Sequence, residues 1–202
     1  MIAIVDYGVG NLFSLVSSFK AIGVEAVVTD EEAVLAAVDK IILPGVGAFG
    51  DARRKLAQTG MDKLVVREGA KGKPIMGICL GMQLLFEKGY EYGTHEGLGL
   101  LKGEVVTMDG VVPANYKIPH IGWNSLQFKK ESPLFAKIKD GDYVYFVHSY
   151  YVRNCDESLL ATTEYGAELT AAVAQNNIYG CQFHPEKSGD VGLNILRGFA
   201  AL

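Results

Sequence analysis

Short apolar runs that alternate with segments of helical period constrain this chain most. Ile2 to Asp6, Glu25 to Val28, Lys40 to Leu43 and Lys73 to Cys79 are apolar stretches bounded by Gly, Pro or Asp, the pattern of buried strands. Between the first two, Leu12, Leu15, Val16, Phe19 and Ile22 recur at helical spacing after Asn11, and Gly23 closes the helix. Glu31 to Val38 and Gly81 to Lys88 read as further helices, and Phe49 to about Glu68 as a longer, broken one. Apolar strands interleaved with helices predict an α/β fold, a largely parallel sheet flanked by helices on both faces.

After Glu91 the rhythm changes. Residues 93 to 128 are rich in Gly and Pro, with short apolar pairs such as Val105-Val106. Tyr143 to Val147, Leu159 to Thr163, Ala171 to Gln175 and Ile178 to Phe183 read as strands joined by short turns. They predict a mixed or antiparallel C-terminal β portion folded back on the first sheet. Val191 to Ala201 forms a last helix with Val191, Ile195, Leu196 and Phe199 on one face. No repeat, low-complexity tract or linker interrupts the chain, so residues 1–202 are expected to form a single domain. A chain of 202 residues can bury roughly 70% of its unfolded surface without disulfide staples.

Charge narrows the function. Nineteen Lys and Arg against 23 Asp and Glu give a net charge of −4, which argues against nucleic acid as a partner. No apolar run reaches the ~18 residues a membrane span needs, and the N-terminus lacks the basic region of a signal peptide. Three widely spaced cysteines, Cys79, Cys155 and Cys181, fit reduced thiols in a cytoplasm. No His or Cys pair has zinc spacing, so no metal is expected.

Gly45-Val46-Gly47-Ala48-Phe49-Gly50 is a literal G-x-G-x-x-G. A dinucleotide site would also need an acid ending the following strand. That strand ends in Cys79, and the nearest acid, Glu68, lies in the preceding helix. No cofactor is expected. The glycines read better as a tight strand-to-helix turn whose backbone N–H groups can meet an oxyanion at the sheet's C-terminal edge.

Gly77-Ile78-Cys79-Leu80-Gly81 is a nucleophile elbow with cysteine in place of serine. Glycines at both flanking offsets favour a nucleophile over a core thiol, and the Leu80 N–H is the natural first oxyanion donor. A helix N-terminus beneath the sulfur would favour thiolate. Cys155 and Cys181 lack such flanks and read as structural. Of the four histidines, His184 lies in His184-Pro185-Glu186. Proline blocks a helix there, so in an extended segment the carboxylate can reach one imidazole nitrogen and leave the other for the thiol. His95, in a Gly-rich loop, reads as a solvated surface residue.

These motifs resemble those of the class I glutamine amidotransferases, which hydrolyse glutamine to glutamate and ammonia through a Cys–His–Glu triad. The resemblance rests on Pro44-Gly45-Val46-Gly47, Gly77-Ile78-Cys79-Leu80-Gly81-Met82-Gln83 and His184-Pro185-Glu186. Asp6-Tyr7-Gly8-Val9-Gly10-Asn11, Pro119-His120-Ile121-Gly122-Trp123-Asn124 and Phe146-Val147-His148-Ser149-Tyr150 extend it over residues 2 to about 200. It implies the fold of that family, Cys79 as nucleophile, His184 as proton carrier and Glu186 as its orienting group. It also implies that Gly47, Gln83, Ser149 and Tyr150 hold glutamine.

Within the family the resemblance is to glutaminases that pass ammonia to a separate (β/α)8-barrel cyclase subunit as a heterodimer. His120, Trp123, Asn124, Tyr143, Tyr145 and Lys187 then match partner-facing positions. With that partner in view, the Val46 N–H is expected to be the second oxyanion donor, turned away until the ligand-bound partner docks. Another class I glutaminase, or a cysteine peptidase or thiol chaperone on the same sheet, is the alternative.

Overall fold

The computed structural model describes residues 1–202. Its central sheet begins with four parallel strands, β1 (Ile2–Val5), β2 (Ala26–Thr29), β3 (Lys40–Leu43) and β4 (Ile75–Ile78), in the order β2-β1-β3-β4. Strand Ile178–Cys181 lies parallel to β4, and three antiparallel strands follow: Glu168–Gln175, Leu159–Glu164 and Gln127–Phe128. The helices are α1 (Leu12–Ala21), α2 (Glu32–Ala37), α3 (Phe49–Gln58), α4 (Met61–Ala70), α5 (Leu80–Leu84) and α6 (Gly189–Ala201).

Strand alternation divides the core between two faces. Ala3, Val5, Ile41, Leu43 and Ile75 join one apolar cluster with residues of α2 to α5. Ile2, Ile4, Ile42, Met76 and Ile78 join the other with residues of α1 and α6. Both faces are covered, which is why these strands read as unbroken apolar runs.

The broken helix over 49–68 is two helices, separated at Gly60, whose φ of 74° is a left-handed conformation natural to glycine. The helix read over Gly81 to Lys88 ends at Leu84. Lys88–Gly89 instead enters a small sheet with His95–Glu96, Glu104–Thr107 and Tyr150–Arg153. A separate antiparallel pair joins His120–Ser125 to Tyr143–His148. Both small sheets draw on the Gly- and Pro-rich tract, where no run is long enough to announce a strand. No helix is long and apolar enough to cross a membrane.

Candidate active site

Cys79 follows β4 with φ 54° and ψ −115°, a conformation that a non-glycine residue adopts only under constraint. The flanking glycines supply that constraint. A Cβ on Gly77 would lie 2.6 Å from the Gly81 carbonyl oxygen, and one on Gly81 would lie 1.9 Å from that of Leu43. Only hydrogen at both positions lets α5 pass this close to β3 and β4. The dipole expected under the sulfur is a minor influence, because α5 has five residues. A side chain reaches the sulfur instead: Gln182 Nε2 donates toward Cys79 Sγ at 3.7 Å, and the thiol in turn points to the Val147 carbonyl at 3.9 Å.

His184 and Glu186 meet beside the elbow, Nδ1 to Oε1 at 2.7 Å, with side chains 3% and 1% exposed. The segment is not extended as the sequence suggested. His184 is extended, but Pro185–Lys187 forms one 3-10 turn that swings Glu186 back, and Pro185 starts it because its φ is preset for that role. The His184 backbone is tied to strand Tyr143–His148, its N–H donating to the Tyr145 carbonyl at 2.9 Å. Ser188 Oγ donates to the His184 carbonyl at 2.6 Å and accepts from the Tyr145 N–H at 2.9 Å. Burial alone would lower the imidazole. Its hydrogen bonds and charge interactions with Cys79 and Glu186 outweigh burial and raise it to about 9.

The turn carrying Val46 and Gly47 is clamped in its first half. Tyr7 donates from its hydroxyl to the Pro44 carbonyl at 2.6 Å. A Cβ on Gly45 would lie 2.6 Å from the Gly81 nitrogen. Its second half is open: Val46 is 44% exposed, and Gly47, at φ 92°, has no neighbour within 4 Å of an added Cβ.

Val46, Gly47, Cys79, Leu80, Gln83, Ser149, Tyr150, His184 and Lys187 all line one cavity of about 340 Å³. Asn11, Glu91 and His148 line it too; the sequence reading gave none of the three a place at the site. Glu91 Oε2 accepts the Phe49 N–H at 2.7 Å, which brings a carboxylate to the cavity from a loop without periodic signal. The contacts of Gln182 and Tyr7 were likewise not foreseen. His95 corrects the sequence reading: it is half-buried, not solvated, and its Nε2 bonds the Glu91 carbonyl at 3.0 Å.

Of the residues matched to a partner-facing surface, Trp123 and Tyr143 are well exposed on the outer face of the antiparallel pair. The Trp123 and Tyr145 rings meet edge-on at 6.2 Å, and Lys187 Nζ stands 6.0 Å over Tyr145. His120 needs correction. Alternation turns positions 120, 122 and 124 inward, so His120 is buried at 2%. Asn124 is half-buried and bonded to the Glu164 carbonyl. Cys155 and Cys181 are free and buried, with burial pushing both thiols up, the environment of inert thiols.

A family model described as glutamine amidotransferase class-I matches residues 3–201. The chain is 51% identical over 203 residues to "Imidazole glycerol phosphate synthase subunit HisH" of Caldanaerobacter subterraneus subsp. tengcongensis, covering 100% of this chain and 98% of that one. It is 50% identical over 198 residues to the subunit of the same name from Aquifex aeolicus, covering 97% and 94%. Among solved structures it resembles a glutamine amidotransferase with a TM-score of 0.76 at 20% identity, covering 99% of this chain and all of that one. PurLQS from Thermotoga maritima matches with a TM-score of 0.75 at 22% identity, covering 99% and 97%. At such identities these structures bear on the fold, an α/β sheet flanked by helices.

Proposed function

The chain belongs to the class I glutamine amidotransferases, and from that premise we propose that it is the glutaminase subunit of an imidazole glycerol phosphate synthase. It hydrolyses glutamine to glutamate and ammonia, and the ammonia passes to a cyclase subunit, a (β/α)8 barrel, that makes imidazole glycerol phosphate. The whole chain, 1–202, acts as one glutaminase unit in the cytoplasm. The observation that carries this reading is the convergence of Cys79, on its strained elbow, with His184 at one cavity, His184 being held from behind by the buried Glu186 carboxylate.

In this mechanism Cys79 Sγ attacks the carboxamide carbon, and the oxyanion is met by the N–H groups of Leu80 and the Val46–Gly47 turn. Glu186 holds Nδ1 of His184, leaving Nε2 to carry the thiol proton to the departing nitrogen. The C–N bond breaks, ammonia leaves and a glutamyl thioester remains. Water, deprotonated by His184, then attacks the thioester; glutamate leaves and the thiol is restored.

Gln83 and Glu91 supply acceptors for the substrate α-ammonium, and Ser149 and Tyr150 help hold the headgroup. Trp123, Tyr143, Tyr145 and Lys187 form the surface offered to the cyclase, with aromatic anchors and a cation. Glutamate release is the test, measured for the chain alone and with the cyclase and its nucleotide substrate. Glutamine-dependent release that the loaded cyclase stimulates, and that Cys79→Ser abolishes, supports the reading. Release indifferent to the cyclase would point to a glutaminase of another pathway, and cleavage of peptides without ammonia release to a peptidase.

A further inference from the structure

Two buried histidines that the triad does not use form an ordered chain leading to the cavity. His148 and His120 are paired across the antiparallel strands, 5% and 2% exposed. His148 Nδ1 lies 2.9 Å from the Tyr150 carbonyl, and His148 Nε2 lies 3.0 Å from His120 Nδ1. His120 Nε2 lies 3.4 Å from Asn124 Nδ2, which also donates to the Glu164 carbonyl at 2.8 Å. The His120 ring stacks on Tyr165 at 3.9 Å and on Phe146 at 4.9 Å.

The acceptors fix where every proton sits. A carbonyl can only accept, so Nδ1 of His148 carries its hydrogen. Burial lowers His148 to about 3 and His120 to about 4, so each ring is neutral and holds one hydrogen. His148 Nε2 is therefore an acceptor, His120 Nδ1 its donor, and His120 Nε2 the acceptor for Asn124. Both nitrogens of His148 are used within the chain, so it offers the substrate no hydrogen bond of its own.

The order continues past Tyr150. Its carbonyl also accepts Gln83 Nε2 at 3.1 Å, and Gln83 Nε2 donates its other hydrogen to Gln182 Oε1 at 2.9 Å. Both amide hydrogens of Gln83 are thereby spent, and its Oε1 is left as the polar atom available to the cavity. We propose that His148, held by His120, is a positioning residue that fixes the Tyr150 carbonyl and so makes Gln83 present an acceptor to the α-ammonium of glutamine. The chain selects a substrate with a free α-amino group, acting on binding and not on bond cleavage. This rests on the reading that Gln83 binds the glutamine headgroup.

The test is steady-state glutaminase kinetics with saturating cyclase, on glutamine and on glutaramate, the same amide without the α-ammonium. His148→Leu is expected to raise the glutamine KM by about tenfold, the scale of one hydrogen bond to a charged group. Its kcat should stay within about threefold and the glutaramate KM should barely move, the contrast a general loosening would erase. His148→Asn, which keeps a donor for the Tyr150 carbonyl, should recover most of the loss. If His148→Leu does not fold, His120→Leu must shift the glutamine KM in the same sense. A fall in kcat without change in KM, or equal rises for both substrates, would overturn the proposal. Gln83→Leu separates the two ideas: a raised glutamine KM there with none in the histidine variants defeats only the positioning role. An unchanged KM in Gln83→Leu defeats the headgroup reading itself and the proposal with it.

Discussion

The Tyr7 hydroxyl donates to the carbonyl of Pro44, 37 residues away, at 2.6 Å. Burial raises the phenol well above its usual range, so it remains a donor at any working pH. Gly10 closes on the proline from the other side, where an added Cβ would stand 2.9 Å from the Pro44 ring. The turn proposed to carry the second oxyanion donor is therefore anchored at Pro44, just before the Gly45–Val46 peptide. Tyr7→Phe should leave the buried Pro44 carbonyl without its donor, costing about 1–3 kcal/mol of stability. It should also lower kcat by roughly tenfold, one misplaced oxyanion donor being worth more than that when lost outright. Glutamine KM and the rate of Cys79 alkylation should hardly change. Unchanged kcat in a destabilised Tyr7→Phe would mean that the bond serves folding only.

Removal of Cys79 or His184 should each lower glutaminase activity by at least roughly 10³-fold, because nucleophile and base act as a unit. Synthesis from added ammonium by the complex should survive, since the cyclase holds that chemistry. Equal loss of both activities would mark Cys79 as structural. His95→Ala should behave differently from either: with its bond to the Glu91 carbonyl gone, the glutamine KM should rise a few-fold at near-normal kcat. A kcat collapse in His95→Ala would reassign the base.

The His184 imidazole is held at about 9, above its ordinary 6.5, so the folded chain binds this proton more tightly than the unfolded one. The stabilisation is complete below about pH 6.5 and is lost as pH rises through about 9. Over that window it amounts to at most about 3 kcal/mol. Urea unfolding of the wild type and His184→Gln should give stability curves that converge toward high pH. A gap independent of pH would show that His184 titrates alike in both states.

The elbow is legible in the sequence because sterics demand glycine at fixed offsets from Cys79, and a local pattern survives without an alignment. The pairing of His184 with Glu186 is legible for the same reason, since the two are two residues apart. The parallel strands announce themselves because both faces are covered. What sequence does not disclose are contacts made only by the closed fold. Gln182 reaches a sulfur 103 residues away, and Tyr7 a carbonyl 37 away. His120 was misplaced because its strand lies in a Gly- and Pro-rich tract, and without the strand its inward phase cannot be assigned. The 3-10 turn at Pro185–Lys187 misled in a milder way, giving the expected pairing by a different backbone path.

The last prediction separates the two glycines of the oxyanion turn. Sequence treats Gly45 and Gly47 alike, as positions where a peptide plane can rotate at little cost. The structure does not. A Cβ at Gly45 would meet the Gly81 nitrogen at 2.6 Å, so Gly45→Ala pushes against the backbone of the elbow itself. It should disturb the position of Cys79 and lower both stability and the alkylation rate of the thiol. At Gly47 there is open space, and the only obstacle is a φ of 92°, which L-residues rarely adopt. Gly47→Ala should therefore fold with a penalty of about 1–3 kcal/mol, keep its alkylation rate, and bias the turn away from its left-handed conformation. If the Gly45–Val46 peptide, which carries the Val46 N–H, must be held by this turn to meet the oxyanion, Gly47→Ala loses stimulated kcat by roughly 10²-fold, the scale of one donor, while the glutamine KM stays close to normal. Full stimulation by the cyclase in Gly47→Ala would show that the second donor lies elsewhere, with the roles of Cys79, His184 and Glu186 untouched.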